Sequence, residues 1–530
     1  MRVVSIDEMH IIEEQTKSEF RFDEKLIIEN IGAKSSQLII DTLSENLDGK
    51  ELIFLIGKGS NGADGLAIAR HMTNNGHRCR AFLFFDSELL SEALNEQLVM
   101  AQAFGVKINF LDNSVQFESY LSQVHEPVFI DALFGTGAVL PLSNEIYHII
   151  ELVNSTSAFT ISIDIPSGVE GNTGHMQGNA IQADLTLAIS FAKQGHYISD
   201  GAQHTGDLAL IDAGFPQKFY SEGNKFLLTH DTLQDLITNR SKFADKKAFG
   251  HALVIGGSHG LTGAPILAAQ AVSKVGSGLV TVATWEPQYQ EMLSRLTPEI
   301  MTGYIPLDVE RWARLIKDLN KYSCIVLGPG LARSSRARRL VLEVLNNYDG
   351  PLVLDADAIN VLDIDQDAKA FTMRNAPTVL TPHFGEFSKF TKIDSDLIGQ
   401  KPLEYLSRLV DKINCTVVLK GPCTYLANSD GTILFNYFPN DGMATGGVGD
   451  VLAGILGGLL GQETSLKSKT SLSSRYEIFN KIVAQSVLIH SIAGDITAKE
   501  YGVRAMTSNN LIHCLRKSFL ELESKIIGEL

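Results

Sequence analysis

Short apolar runs that end in glycine or aspartate, each followed by helix-compatible sequence, recur along the chain from residue 50 onward. This alternation is typical of α/β architecture, in which buried parallel strands alternate with helices. In the first half of the chain the predicted strands are 51–56, 127–130, 159–163, 184–190 and 207–211. In the second half they are 251–255, 279–283, 324–327, 352–354, 378–380 and 416–419. Residues 5–46, ahead of the first strand, predict helix because their apolar positions lie near helical spacing.

The strand pattern lapses between about residues 215 and 250, where the sequence is polar and helix-leaning. A chain of 530 residues is long enough for two or more domains with full cores. We therefore predict a first domain over 1–220, a linker over 221–245 and a second domain over 246–530. The segment TYLANSDGTILFNY predicts a β-hairpin in the second domain, because Ser-Asp-Gly separates two strand-like runs.

The composition of the chain argues against nucleic acids and membranes as its binding partners. The formal net charge of −16 argues against nucleic-acid binding, because neutralising phosphates needs a basic surface. The longest apolar stretch, 451–460, is about half of the ~20 residues that cross a bilayer. The first residues, MRVVSIDEMHIIEEQ, have no signal or transit pattern, and the five cysteines are scattered without a C-x-x-C pair. We expect a soluble cytoplasmic protein with neither a nucleic-acid nor a membrane partner.

A glycine-rich turn joins the first predicted strand to a helix, where ELIFLIG runs through GKGSNGADG into LAIARHMTNNG. Such a turn presents backbone N–H groups and the positive end of a helix to an anionic ligand. Three further loops, DALFGTGAVLP, DIPSGVEGNTG and FAKQGHY, each follow a predicted strand. Because the carboxyl ends of parallel strands line one crevice, these loops can converge on one ligand.

Four motifs of the first half resemble the NAD(P)H-hydrate epimerase family, whose usual patterns are MENAG, G-x-GNNGGDG, DALFGTG and DIPSG. They are IENIG (28–32), GKGSNGADGLAIARH (57–71), DALFGTG (131–137) and DIPSGVEGNTG (164–174). The resemblance covers nearly all of residues 1–215. It implies a Rossmann-like α/β/α sandwich that interconverts the R and S forms of hydrated NADH and NADPH.

The resemblance also implies the residues of this first site. The substrate-binding positions are Ser60, Asn61, Gly62, Ala63, Asp64, Gly135, Thr136, Gly137, Ala138, Val139, Leu140, Pro141 and Asp164. The implied potassium ligands are Asn61, Asp131 and Ser167, whose hard oxygens suit an alkali cation. Asp164 is the implied catalytic residue, because a carboxylate can move the hydroxyl proton and stabilise a cationic nicotinamide-like intermediate.

Two positions depart from the family pattern, and one further position stays open. Ser60 replaces an asparagine and Ala63 replaces a glycine, so an amide contact is lost and a methyl group is added beside the ligand. We expect altered affinity rather than an inactive site. Lys193 follows the fourth strand, where the family often has a lysine near the site, but it can equally be a solvated lysine.

The segment MATGGVGDVLAGILGGLL (443–460) is the most informative of the second half. Its glycines crowd a turn before an apolar helix, so several N–H groups point into one concavity beside the carboxylate of Asp450. An anion hole with a neighbouring base is what phosphoryl transfer to a hydroxyl requires. The G-x-G-D arrangement resembles the ribokinase-like superfamily.

Further motifs select one branch and resemble the ADP/ATP-dependent NAD(P)H-hydrate dehydratase family across about residues 245–515. They are FGHALVIGGSHGLTGAPILAAQAVSKVGSGLV, LGPGL, LDADAINVL, LTPHFGEF, LKGPCT and MATGGVGD. The implied contacts with hydrated dinucleotide are Ala264, Gly330, His383 and Asp450, and those with ADP or ATP are Lys420, Gly421, Pro422, Cys423, Thr424 and Gly449. Asp450 would deprotonate the C6 hydroxyl, and a phosphate ester would then leave more readily than hydroxide. Asp355 and Asp357 are either metal-side or structural carboxylates.

The resemblances together predict a two-domain α/β enzyme, Rossmann-like then ribokinase-like, that epimerises hydrated NAD(P)H and dehydrates the S form with ADP or ATP. Its expected ions are potassium in the first domain and magnesium in the second, since phosphoryl transfer usually needs magnesium. Its expected partners are the hydrated dinucleotide, an adenine nucleotide and further copies of itself in a homo-oligomer. The alternative is a ribokinase-like small-molecule kinase, which would release a stable phosphoester, with a non-catalytic dinucleotide-binding first domain.

Overall fold

The computed structural model describes residues 1–85, 90–111, 113–137, 140–233, 243–463, 466 and 471–528. The chain divides into two compact units, Met1–Lys225 and Phe226–Leu530. Both are built on mostly parallel sheets, so the predicted fold class, α/β in two domains, is confirmed. No helix within the described ranges combines the length and apolar character needed to cross a bilayer.

The first unit is built around one parallel sheet. Its strands are β1 (Val3–Val4), β2 (Glu51–Ile56), β3 (Arg78–Leu83), β4 (Lys107–Phe110), β5 (Val128–Ala132), β6 (Phe159–Ile163), β7 (Leu185–Ile189), β8 (Ala192–Lys193) and β9 (Asp207–Ile211). Its helices are α1 (Ile6–Ser18), α2 (Glu24–Leu43), α3 (Ser60–Asn74), α4 (Glu92–Ala103), α5 (Ser114–Leu121), α6 (Asn144–Ser155), α7 (Gly201–His204) and α8 (Lys218–Ser221). Within the described residues the sheet has the order β4-β3-β2-β5-β6-β7-β9, while β1 and β8 pair separately.

Alternation along β2 explains the three layers of this unit. Leu52, Phe54 and Ile56 belong to the core that α1–α4 cover, whereas Ile53 and Leu55 belong to the core beneath α5 and α6. Successive side chains of a strand point to opposite faces, so a strand apolar at both phases must be covered on both sides. The continuous apolar run that predicted this strand therefore also accounts for the α/β/α sandwich.

The second unit contains a larger mixed sheet. Its strands are β10 (Lys225–Leu227), β11 (His251–Ile255), β12 (Leu279–Trp285), β13 (Met301–Ile305), β14 (Cys324–Leu327), β15 (Leu352–Leu354), β16 (Thr378–Leu380), β17 (Thr416–Leu419), β18 (Cys423–Ala427) and β19 (Ile433–Tyr437). Its first helices are α9 (Gly263–Lys274), α10 (Tyr289–Arg295), α11 (Trp312–Asp318), α12 (Ser335–Asn347), α13 (Asp357–Asn360) and α14 (Ile364–Thr372). The later ones are α15 (Phe384–Thr391), α16 (Ser395–Gln400), α17 (Pro402–Ile413), α18 (Val448–Gln462), α19 (Leu472–Tyr501) and α20 (Ser508–Gly528).

The order of this sheet among the described residues is β10-β19-β18-β17-β16-β15-β14-β11-β12-β13. The strands from β11 to β17 pair in parallel, and β17, β18 and β19 pair antiparallel, which confirms the predicted hairpin. Helix α18 packs against α9 through its glycines: a methyl group on Gly454 would lie only 2.2 Å from the carbonyl oxygen of Ala268. The glycines of this helix therefore allow close helix packing as well as the turn before it.

The structure differs from the predicted element pattern in two ways. Strands β3, β4 and β13 were not predicted, because β3 begins Arg-Cys-Arg and the other two are edge strands with few buried positions. Part of the predicted linker over 221–245 is folded: β10 (Lys225–Leu227) lies within it, and Leu228 N–H donates to Phe435 O at 2.8 Å. An edge strand has one edge exposed to solvent and can contain few apolar residues, so its sequence resembles that of a polar loop.

Candidate active sites

The first candidate site lies where the loops after β2, β5, β6 and β7 meet. Gly57 N–H donates to Ala132 O at 2.9 Å, and a methyl group on Gly57 would lie 1.7 Å from the carbonyl oxygen of Leu133. A methyl group on Gly62 would in turn lie 2.0 Å from the carbonyl oxygen of Gly57. Gly57 and Gly62 are therefore required so that the turn can close on itself and sit directly against the loop after β5.

Unpaired polar atoms gather beside this turn. Asn61 and Asp64 are buried, yet Oδ1 and Nδ2 of Asn61 and Oδ1 of Asp64 have no hydrogen-bond partner among the described residues. A methyl group on Gly135 would lie 3.3 Å from Asn61 Cγ and 3.3 Å from Asp164 Oδ2, so these three residues face one another. Buried polar atoms are almost always satisfied in folded proteins, so this group is a candidate ligand site.

Asp131 and Ser167 form a second polar group next to the first. The hydroxyl of Ser167 donates to Asp131 Oδ1 at 2.6 Å, and Ser167 N–H and Ser162 Oγ donate to Oδ2 at 2.9 and 2.8 Å. Burial raises the pKa of Asp131, and these hydrogen bonds partly counteract that rise. Phe134 N–H donates to Ser167 Oγ at 3.0 Å, which brings the loop that carries Gly135 to this group. The unpaired Asn61 oxygen and these two residues supply the hard oxygens that suit a potassium ion.

Acidic residues surround Asp164 at this site. Burial raises the pKa of Asp64 well above its usual value, and the charges of Asp164 and Glu13 raise it further. Burial also raises the pKa of Glu13, with Asp164 the next cause, so helix α1 contributes an acid to the same electrostatic environment. Glu13 lines an open cavity of about 510 Å³ along α1. Nothing in its local sequence distinguishes it from the other acids of that helix, and it was not predicted.

Not every residue predicted for the first site faces it. Ala63 is fully buried in the core shared by α2 and α3, so its methyl group does not lie beside a ligand as predicted. Ser60 is exposed at the first position of α3, and Gly137 and Pro141 are exposed in the loop after β5. Ala138 and Val139 lie outside the described residues. Thr136 and Leu140 are partly buried.

The second candidate site is a row of loops at the carboxyl ends of the central strands. Gly257 N–H donates to Pro329 O at 2.9 Å, which joins the loops after β11 and β14. Thr381 Oγ1, after β16, donates to Asp355 Oδ1, after β15, at 2.7 Å. Lys420 N–H, after β17, donates to Pro382 O at 2.8 Å. In open α/β sheets this end of the strands carries the ligand site.

A buried ion pair lies under the start of α18. Lys420 Nζ lies 2.8 Å from Asp355 Oδ1, and a methyl group on Gly449 would lie 3.3 Å from the same ammonium. Burial alone would lower the pKa of Lys420, but Asp355, Glu386 and Asp450 raise it above its usual value. The lysine therefore stays charged at the N-terminus of α18. Asp355, which the sequence left open, is the partner of this lysine.

Asp450 has the electrostatics of a base poised near neutrality. It lies at the third position of α18, where burial raises its pKa from 3.8 to about 7, with the charge of Asp355 the next cause and Lys420 acting against it. Gly447 begins the helix at φ +91, a left-handed conformation that favours glycine, and no atom lies within 4 Å of a methyl group placed on Gly446. The turn thus leaves open space at Gly446, four residues before a partly buried carboxylate.

His383 is a helix cap in this structure. Its Nδ1 accepts hydrogen bonds from the N–H groups of Gly385 and Glu386 at 3.0 and 3.3 Å, while Glu386 Oε2 accepts from His383 N–H at 3.0 Å. The side chain is 60% exposed, so the ring still faces outward from the loop after β16. Its Nδ1 carries no hydrogen, because it accepts two hydrogen bonds, and its Nε2 lies 3.5 Å from Glu386 Oε1.

The other predicted residues of the second site divide into two groups. Ala264 lies in the first turn of α9, and Gly330 stands at φ +61 close to the carbonyl oxygen of Leu261, so both belong to the joined loops after β11 and β14. Gly421, Pro422 and Thr424 are at least partly exposed. The thiol of Cys423 is buried in β18, so only the backbone of this residue is available to a nucleotide.

Asp357 has a structural role in the described residues. Its Oδ2 accepts from Ala332 N–H at 2.9 Å and its Oδ1 from Arg333 Nε at 3.2 Å. Across the described ranges, no group of three or more His, Cys, Asp or Glu residues is arranged to hold a metal ion. The acids near Asp450 are therefore committed to internal bonds or stand too far apart to form a preformed cation site.

The fold and the two sites define a fusion of two α/β enzyme domains. A family model described as YjeF-related protein N-terminus matches residues 24–195, and the NAD(P)H-hydrate dehydratase model matches residues 252–517. A crystal structure of ADP/ATP-dependent NAD(P)H-hydrate dehydratase from Bacillus subtilis, co-crystallised with ATP/Mg²⁺, is similar to the chain. It is 25% identical and covers 56% of this chain and 98% of its own, with a TM-score of 0.48.

Relatives of known name match almost the whole chain. The bifunctional NAD(P)H-hydrate repair enzyme Nnr of Moorella thermoacetica is 32% identical over 536 residues, which cover 99% of this chain and 98% of that protein. The enzyme of the same name from Thermofilum pendens is 30% identical over 532 residues, covering 98% and 97%. The chain belongs to the bifunctional NAD(P)H-hydrate repair enzyme family.

Proposed function

We propose that this protein repairs hydrated NADH and NADPH in two steps, first interconverting the R and S epimers and then dehydrating the S form with an adenine nucleotide. The full-length match to repair enzymes carries this proposal, because it spans both units with the two domains in the same order. Two sites on one chain suit the chemistry, since spontaneous hydration produces both epimers and the second step uses one of them.

The second unit performs the dehydration. Asp450 accepts the proton of the C6 hydroxyl, whose oxygen attacks the terminal phosphoryl group of ADP or ATP; the shortened nucleotide leaves. The resulting C6 phosphate departs with its bonding electrons, a proton leaves C5, and the ring double bond is restored. A pKa of about 7 suits this base, because proton transfer is most effective when the pKa lies near the working pH. Lys420, whose ammonium lies beside Gly449, and the N-terminus of α18 would stabilise the developing negative charge.

The first unit performs the epimerisation at C6. Asp164 Oδ2 faces Gly135 and Asn61, where the hydrated nicotinamide would lie. Its carboxylate stabilises the cationic ring that forms when the hydroxyl leaves, and it moves the hydroxyl proton when water returns to the other face. The unpaired atoms of Asn61 and Asp64 would bind the rest of the dinucleotide.

The described residues fit the two implied ions differently. Asn61, Asp131 and Ser167 would hold potassium, which would supply a fixed positive charge beside the anionic dinucleotide. Magnesium is proposed for the second unit only as a companion of the nucleotide phosphates, because the described residues form no acidic cluster for it, and no step is derived through it.

Localisation in the cytoplasm and assembly into a homo-oligomer are further proposals. All five cysteines are free and buried, which supports a reducing compartment.

One experiment tests both activities. The full-length protein is incubated with a mixture of R and S NADH hydrate and either ADP or ATP, with and without potassium and magnesium, and both epimers, NADH and inorganic phosphate are followed. We expect both epimers to disappear and NADH absorbance to return with stoichiometric phosphate. A stable phosphoester instead of NADH would support the ribokinase-like kinase. Rapid loss of the S form, with the R form lost no faster than by spontaneous epimerisation, would support a non-catalytic first domain.

A further inference from the structure

Lys193 is a fully buried cation in the first unit. Its side chain is 0% exposed, its ammonium forms an ion pair with Asp164 Oδ1, and it also donates to Ile189 O at 3.2 Å. Strand β8, which carries it, pairs in parallel with β1 so that Val4 stands opposite Lys193. A buried ammonium is retained only where a charged partner compensates for lost hydration. Lys193 is therefore committed to Asp164 and is not a solvated lysine.

His196 ties the same two residues together through their backbones. Its Nδ1 accepts the N–H of Lys193 at 3.1 Å, so Nδ1 carries no hydrogen; Nε2 then carries it and donates to Asp164 O at 2.9 Å. Burial, followed by the charge of Lys193, lowers the pKa of His196 to about 4, so the ring is neutral. A single imidazole thus links the chain after β8 to the residue after β6.

The segment that carries both residues is held rigidly. Ser190 N–H donates to Ile211 O, and Gly195 N–H donates to Gly171 O, each at 2.8 Å. A methyl group on Gly195 would lie 2.5 Å from the carbonyl oxygen of Glu170, so the two segments touch without space for a side chain. The positions of Lys193 and His196 are therefore fixed by the backbone rather than chosen by flexible side chains.

Asp164 itself is held in an unusual conformation. Its φ is +69, in the left-handed region that residues other than glycine rarely adopt. Asp164 N–H donates to Leu187 O at 2.8 Å, and Oδ1 accepts from Ile189 N–H at 3.3 Å in addition to the lysine. Its other oxygen, Oδ2, is the one turned toward Gly135. The surrounding groups thus bind one carboxylate oxygen and leave the other facing the candidate substrate loop.

We propose that Lys193 and His196 are positioning residues that fix the side chain and the backbone of Asp164 so that Oδ2 alone meets the C6 centre of the hydrated nicotinamide. The inference rests on the proposed epimerase function. Neither residue needs to touch the substrate, since Lys193 acts on the side chain of Asp164 and His196 on its backbone. Glu13 and Asp64 are the acids that share this environment, and Lys193 is the cation that compensates Asp164 among them.

The test compares Lys193→Met in two backgrounds of the full-length protein. In the otherwise unchanged chain, we expect Lys193→Met to lower kcat for epimerisation roughly 10- to 100-fold with little change in KM, the size expected for a misplaced catalytic group. In an Asp164→Asn background, the same substitution should cause no further loss and should raise the rate, because it removes an unpaired ammonium beside a cationic intermediate. Equal losses in both backgrounds would mean that Lys193 does not act through Asp164 and would overturn the proposal.

His196 is tested by two replacements of its ring. His196→Phe keeps the planar ring but removes both nitrogens, and we expect it to slow epimerisation roughly tenfold or more. His196→Gln keeps a donor that can reach Asp164 O and should recover most of the rate. Equal activity of the two variants would overturn the role of the hydrogen bond. Independently, nitrogen NMR of the unmodified protein should find one histidine neutral and protonated at Nε2 at pH 5.5; a charged ring would contradict the assignment.

The second unit provides the internal control. Dehydration of pure S hydrate with ADP should be unchanged in every variant, which reports that the chain is folded there. If the unmodified protein dehydrates but does not epimerise, the proposed epimerase function fails and this inference falls with it. If the unmodified protein epimerises and Lys193→Met matches it in kcat, only this inference fails.

Discussion

Replacing Asp450 by asparagine should make the second unit more stable while abolishing its activity. The pKa of Asp450 is raised from 3.8 to about 7, chiefly by burial, so the folded protein holds a charge that the unfolded chain accommodates more easily. Above pH 7 that difference costs the folded state about 4 kcal/mol, at about 1.4 kcal/mol per pH unit between the two values. Asparagine cannot ionise and avoids the cost.

The sign of the pH dependence follows from the same two values. Below pH 4 the carboxyl is protonated in both states and the cost vanishes, and between pH 4 and 7 it grows because only the unfolded chain ionises. Asp450→Asn should therefore raise the free energy of unfolding of the second unit by about 2 kcal/mol at pH 5 and by about 4 kcal/mol at pH 8.

The two tryptophans of the sequence, Trp285 and Trp312, make this measurable. Both are buried and both belong to the second unit, so urea unfolding followed by tryptophan fluorescence reports on that unit. Asp411→Asn is the matched control, since Asp411 is exposed on α17 and its replacement should change stability by less than about 0.5 kcal/mol. A gain that is the same at pH 5 and pH 8, or a loss of stability at pH 8, would refute the reasoning.

Three further predictions concern rate, packing and charge. The dehydration kcat should rise about tenfold per pH unit below pH 7 and level off above it, because Asp450 acts as a base; a profile flat from pH 5.5 to 8 would contradict that role. Gly62→Ala should destabilise the first unit by about 1–3 kcal/mol in calorimetry, since its methyl group would lie 2.0 Å from a carbonyl oxygen, whereas Gly59→Ala has open space and should not. Lys193→Met should lower the free energy of unfolding of the first unit by about 3–5 kcal/mol, because it leaves a buried carboxylate unpaired. Adding Asp164→Asn should restore most of that free energy, and additive losses from the two substitutions would argue against the ion pair.

Local sequence predicted most strands well and missed two of the edge strands. Strands β6, β11 and β16 have the predicted ends, because a strand buried on both faces is a continuous apolar run with turn residues at each end. Strands β4 and β13 are edge strands with exposed positions, and nothing apolar enough marks them in the sequence. The pattern therefore identifies a strand by its continuous apolar run: β9, at a sheet edge, has the predicted ends, whereas β3, mostly buried, was missed because arginines interrupt its start.

The sequence by itself determined the order of the two domains, the glycine turns and the acids Asp164 and Asp450, since each lies in a short motif next to a strand. Only the tertiary structure decided that Lys193 pairs with Asp164 across 29 positions, that Lys420 pairs with Asp355 across 65, and that the methyl group of Ala63 lies in the core. The two ion pairs and the position of the Ala63 methyl group depend on which strands are neighbours in a sheet and on which buried side chains come into contact. Local periodicity predicts neither the strand order nor these side-chain contacts, because both are set by contacts between distant parts of the chain.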